Sequence, residues 1–216
     1  MPEVGEELVG AWLRKSARCD FVQYNVPFRG KQGEIDVIGL NLAEKTAYIC
    51  EVATHLATGL QYVKNGQPDN VPRLTHKFRG DIDYAQKYLP EFHHCFQLWS
   101  PIIKHPIADT VAHNQFTDLN EIRQNICKSH RVEVDMVVND VYLARVNELR
   151  DLASQETAAS EFPVFRLLQI LARLEGHVAR LEAKGIDTRL ILSCAPVQMS
   201  VPCSSLSRGN AVCLKH

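Results

Sequence analysis

The sequence predicts a mixed α/β domain, a central sheet flanked by helices, on three observations. Up to about residue 140 the periodicity runs helix, three strands, helix, strand, helix, strand, an order that suits a mixed sheet rather than a sandwich. The three early strands are β-branched and aromatic, with short polar breaks that imply hairpins. The composition, 45% hydrophobic and 23% charged over 216 residues, is that of a globular chain with a sizeable core.

Each element has its own signal. Residues 3–18 place Val4, Leu8, Val9, Trp12 and Leu13 on one stripe of a helix, with Glu6 on its flank. Strands are expected at 21–28, 34–41 and 46–53. "GQPDNVP" breaks the pattern before a helix at 73–89, whose stripe is Leu74, Phe78, Ile82, Ala85 and Leu89 and whose stop is Pro90. A strand "CFQLWSPIIK" follows, then a helix at 118–130 with Asp118 and Glu121 at capping-box spacing, then the strand "RVEVDMVV".

Beyond 141 the pattern turns helical. "YLARVNELRDLA" precedes a longer helix opened by Ser160 and Pro163 and closed by Gly185. In it Val164, Leu167, Leu171, Leu174, Val178 and Leu181 form a short heptad seam. That seam either packs on the preceding helix as a hairpin or pairs two chains as a homodimer through residues 164–181. The expected organisation is an α/β core at 1–140, a helical extension at 141–192 and a mostly irregular tail at 193–216, after a short strand at 189–193.

A net charge of −1 gives no global field for nucleic acid, although a local basic patch can hide beneath it. Seven scattered cysteines without a C-x-x-C pair, and an opening that lacks a signal-peptide layout, lead us to expect a reduced, cytoplasmic protein. No apolar run has the length of a membrane helix, so no membrane partner is expected. His93, His94 and Cys95 are adjacent on a strand and face alternate ways, which disfavours a zinc site.

The chemistry lies in "GEIDVIG" and "AYICEVATH", which put Asp36 and Glu51 inside strands. A lone buried carboxylate is too costly to persist, so each needs a proton, a partner or a cation. No Lys or Arg lies within either strand. If the two strands pair, the acids become near neighbours, and a hard divalent cation with oxygen ligands would satisfy both.

The stretches "GEELVGAWLRK", "NVPFRGKQGEIDVIG", "AYICEVATH", "RLTHKFRGDIDYAQKYL" and "VEVDMVV" together resemble the PD-(D/E)xK nuclease superfamily, nearest to small bacterial proteins related to Holliday-junction resolvases. The likeness covers roughly residues 3–140. It implies a restriction-endonuclease-like fold, here with a C-terminal helical hairpin extension, and Mg²⁺-dependent (or Mn²⁺-dependent) hydrolysis of DNA phosphodiesters. Asp36 and Glu51 would hold the metal, and Glu6 would reach it from the first helix.

The pattern breaks two residues after Glu51, where the motif lysine is replaced by Ala53. Lys77, on the helix after the third strand, is the candidate replacement, with its amine reaching the Glu51 side. Lys77→Met, which keeps the apolar stem, is then expected to spare the fold. Arg29, Lys31, Arg73 and Arg79 are candidate nucleic-acid contacts, and His55 could touch a phosphate. The alternative is a catalytically degenerate nuclease fold that binds nucleic acid or a protein partner without cutting.

Overall fold

The computed structural model describes residues 2–28, 32–105 and 113–186. Arg29, Lys31, the strand expected at 189–193 and the tail at 193–216 lie outside these residues. The chain divides into two compact units, Met1–Glu175 and Gly176–His216.

The first unit is built on a five-stranded mixed sheet. Helix α1 (Val4–Lys15) leads into β1 (Phe21–Pro27), β2 (Glu34–Asn41) and β3 (Thr46–Val52), a meander of antiparallel neighbours. A two-residue ribbon, β4 (Val63–Lys64) and β5 (Gln67–Pro68), precedes α2 (Asn70–Tyr88). Strand β6 (His93–Ser100) then pairs parallel to β3. Helix α3 (Gln115–His130) carries the chain to β7 (Val134–Val138), parallel to β6, and α4 (Asn139–Gln155) and α5 (Pro163–Ala183) follow. The sheet order is β1-β2-β3-β6-β7.

Alternation along the strands divides the core between two faces. On one, Leu74, Phe78, Ile82 and Ala85 of α2 and Leu119, Ile122 and Ile126 of α3 cover Ile38, Ala47, Ile49, Phe96 and Leu98. On the other, Val9, Trp12 and Leu13 of α1, Leu149 and Ala153 of α4 and Phe165 of α5 cover Val37, Cys50, Trp99 and Val137. None of the described helices is long and apolar enough to cross a membrane.

Two expected helix starts move, each for a local reason. Helix α2 begins at Asn70 rather than 73, because Pro72 sits in the first turn, where its missing N–H costs nothing. Helix α3 begins at Gln115 because Asn114 is its cap, its side chain accepting from the Phe116 and Thr117 amides at 3.0 and 3.4 Å. Asp118 makes no capping box and turns inward. The ribbon was hidden in plain residues: Asn65-Gly66, both at positive φ (52° and 76°), is the pair that a tight hairpin turn favours.

Leu149, Ala153 and Phe165 belong to the same core as Trp12 and Trp99, so α4 and the start of α5 help to cover the sheet. Helix α5 does fold back along α4, as the Arg150–Glu175 ion pair at 2.9 Å shows. The seam does not make that contact: Leu167, Leu171 and Leu174 stay exposed, while Phe165 is buried in the core and Gln169 binds the loop between α4 and α5 through Ala158 O and the Ser160 amide. In the second unit the helix ends at Ala183, and Gly185, at φ 72°, turns the chain just past it. We predict that Phe165→Ala lowers the urea-unfolding free energy of the whole domain by about 3–5 kcal/mol, the cost of emptying a core phenylalanine site. A change near zero would mark α5 as peripheral.

Candidate functional site

Strands β2 and β3 pair Val37 with Cys50 and Ile38 with Ile49, so the same register carried one residue further sets Asp36 opposite Glu51. Both acids are buried, at 7% and 1% exposure. They share the face covered by α2, because Asp36 keeps the parity of Ile38 and Glu51 that of Ile49. Asp36 Oδ2 accepts from the Val52 amide at 2.8 Å, which ties its carboxylate to the neighbouring strand.

Helix α2 brings the counter-charge. Its apolar stripe fixes the rotation, and Lys77, one residue before Phe78, lies on the flank facing the acids. The ammonium donates to Asp36 Oδ1 at 2.8 Å and also pairs with Glu51 Oε2. Burial by itself would lower the Lys77 pKa, but the Glu51 and Asp36 carboxylates reverse this and hold it above its ordinary value. Glu51 is pushed well above the usual carboxylate range, first by burial and then by Asp81 and Asp36, with Lys77 acting in the opposite direction. Glu51 Oε1 is buried without a hydrogen-bond partner.

Position 53 shows why no lysine stands there. Ala53 is 3% exposed and belongs to the core between sheet and α2. Its amide donates to Trp99 O and its carbonyl accepts from Ser100 Oγ, both at 2.9 Å. The chain thus holds a small residue two positions after Glu51, and the amine that meets the acids comes from a helix.

Glu6 does not join them at contact distance. It opens α1, where Oε2 accepts from the Glu3 amide at 2.9 Å and from Asn25 Nδ2 at 3.5 Å. Burial raises its pKa, with the Asp36 charge a lesser contribution, so the two acids share a neighbourhood. Among the described residues no three His, Cys, Asp or Glu side chains gather closely enough to hold a metal ion. The donors a hard divalent cation would have here are two carboxylates, with Glu51 Oε1 the oxygen still lacking a partner.

Two residues missed in the sequence complete the surroundings. Asp81, one turn beyond Lys77, is fully buried and adds its charge to those acting on Glu51. Tyr62 stands over the loop between β3 and α2: burial pushes its phenol up, while the Lys77 and Arg73 charges pull it down. Arg73, exposed and one turn before Lys77, stacks its guanidinium 4.4 Å from the Tyr62 ring centre. His55 meets the same ring edge-on at 4.9 Å, its Nδ1 accepting from the Gln61 amide at 3.2 Å.

Asn70 anchors this loop. It accepts from the Tyr62 amide at 2.7 Å and donates to Leu60 O at 2.8 Å and Asp118 Oδ2 at 2.7 Å. Arg79, two residues past Lys77, is carried by the helical step to another side of α2 and does not join Arg73. Asp81 had no legible signal, since its i+4 relation to Lys77 reads as an ordinary surface pair.

No protein-family model, curated protein or solved structure matches the chain. The geometry therefore stands by itself, and it revises one expectation. Lys77→Met should not spare the fold: it leaves two buried carboxylates without their ammonium, at a cost of about 3 kcal/mol or more.

Glu51→Gln makes the converse prediction. A carboxyl group whose folded pKa is raised destabilises the fold once pH exceeds its unfolded value, so the neutral isostere removes that cost. We expect the metal-free variant to melt roughly 3 °C or more above the wild type at neutral pH. The gain should vanish near about pH 3.5, where the group is protonated in both states. A lower melting temperature at neutral pH would mean that the Lys77 pairing outweighs the burial cost.

Proposed function

We propose that the chain is a Mg²⁺-dependent endonuclease acting on DNA phosphodiesters, with a restriction-endonuclease-like core in which Asp36 and Glu51 hold the cation and Lys77 replaces the motif lysine. The observation that carries this reading is the Lys77 ammonium between the two strand carboxylates, where Ala53 leaves the motif without its amine. A salt link that served stability alone would not call for two acids side by side within strands and a Glu51 oxygen left without a partner.

When bound, the cation would supply Lewis-acid polarisation of a phosphate oxygen and acidify a water. The chain's own groups do the remainder. Lys77 donates hydrogen bonds towards the place where negative charge builds on the phosphate, and orients the attacking water. Arg73, held over Tyr62, offers its guanidinium to a backbone phosphate. His55, with Nδ1 occupied by the Gln61 amide, has Nε2 left to donate to a leaving oxygen.

A second reading has its own observation in favour. Lys77 partly neutralises the acids without any metal, and no three ligands gather among the described residues, as a catalytically degenerate nuclease fold that binds nucleic acid or protein without cutting would show.

Incubation with linear, branched and single-stranded DNA and with RNA, in Mg²⁺ and in Mn²⁺, separates the two. We expect metal-dependent cleavage of DNA, lost by about a hundredfold or more in Lys77→Met, the scale for deleting one donor at a developing anion. That variant is assayed at a temperature where circular dichroism shows it folded. Asp36→Asn should weaken Mg²⁺ binding in calorimetry while the fold persists. Full activity in Lys77→Met would refute the role of the amine, and no cleavage of any substrate by the wild type would favour the binding module.

A further inference from the structure

We propose that the outward face of α5 is the seam of a parallel two-stranded dimer whose other strand is α5 of a second copy of this chain. The helix is held in one rotation by its inner face. Phe165 is fully buried, and Gln169, 1% exposed, donates to Ala158 O at 2.7 Å and accepts from the Ser160 amide at 3.1 Å. On the outward side Leu167, Ile170, Leu171 and Leu174 are 54%, 50%, 42% and 54% exposed. An apolar row of this length in water calls for a cover.

The row has the chemistry of one particular cover. Spacings of three and four put Val164, Leu171 and Val178 at the first core position of successive heptads, and Leu167, Leu174 and Leu181 at the second. Phe165 and Gln169 then fall on the opposite side, in keeping with their burial. Valine at the first position with leucine at the second favours two parallel strands.

Flanking polar groups agree with that register. A parallel pair sets His177 beside Glu182 of the second copy, whose carboxylate can accept from a ring N–H, whereas an antiparallel pair sets Ile170 against His177 and Leu168 against Glu175, with no polar pair facing. The surface still open on Val164, Leu167, Ile170, Leu171, Leu174, Val178 and Leu181 comes to roughly 500 Å² per partner, to which the flanking side chains add towards the ~800 Å² of a specific interface.

Light scattering and sedimentation of the full-length chain at tens of micromolar test this. We expect twice the chain mass. Leu174→Glu, which opposes two carboxylates in the seam, should raise the dissociation constant by ~100-fold or more without changing the far-UV spectrum. Leu167→Cys should cross-link two copies under mild oxidation beyond the wild-type background, because only parallel strands oppose residue 167 to itself. An antiparallel pair would separate the two by about 16 Å along the helix.

A monomeric wild type, or a dimer that Leu174→Glu leaves intact, would overturn the proposal. So would a dimer that does not cross-link at 167. A monomer in which the cysteine at 167 links to Cys194, Cys203 or Cys213 of its own chain would assign the seam to the C-terminal segment instead.

Discussion

Two carboxyl groups buried side by side in a sheet need a proton, a partner or a cation, and the arrangement of this domain follows from how that need is met. Asp36 and Glu51 are opposed on β2 and β3. Burial, with the charges of Asp81 and Asp36, raises Glu51, and the ammonium that opposes this comes from another element. Helix α2 must therefore cross this face of the sheet at one rotation, with Leu74, Phe78 and Ile82 in the core and Lys77 beside them. The loop before it is fixed accordingly: Asn70 ties Leu60 and Tyr62 to α2 and α3, and Gln115 Nε2 donates to Thr58 O at 3.0 Å.

Moving an amine from a strand to a helix changes its mechanical setting. A lysine at position 53 would leave the same strand as Glu51, two residues on, so its placement would depend on the sheet alone. Lys77 depends on the packing of α2 against the sheet, and small shifts of that helix would move the ammonium relative to both acids. The stability of the core under α2 and the electrostatics of the site are thus one problem. Ala53 is part of the solution, since its small side chain fits the space between sheet and helix.

What could be read from the sequence follows from which signals are periodic. The three meander strands are legible because alternating apolar residues survive any tertiary context, and the stripe of α2 is legible for the same reason, which is why the flank position of Lys77 could be anticipated. Asp81 and Tyr62 could not, because their burial comes from elements distant in sequence. The start of α2 was obscured by Pro72, which reads as a breaker although a first turn accepts it. The seam of α5 is periodic too, but periodicity tells only that a face is apolar, not what covers it. Phe165 and Gln169, outside the seam, are what bind the helix to the domain.

The charges also bear on what such a site could hold. Asp36, Glu51 and Asp81 outnumber Lys77 and, where ionised, leave net negative charge in a buried setting, which repels a phosphodiester and attracts a cation. A divalent ion added to these groups would offset that charge and remove the repulsion. Nucleic acid would therefore approach this pocket only after the metal. A module that binds nucleic acid without metal would have to use another surface, since Arg79 lies on another side of α2 and, of the candidate nucleic-acid contacts among the described residues, Arg73 is the one beside Tyr62 and Lys77. Ordered binding, metal before phosphate, is what the balance of charge around Lys77 would imply under the proposed nuclease reading.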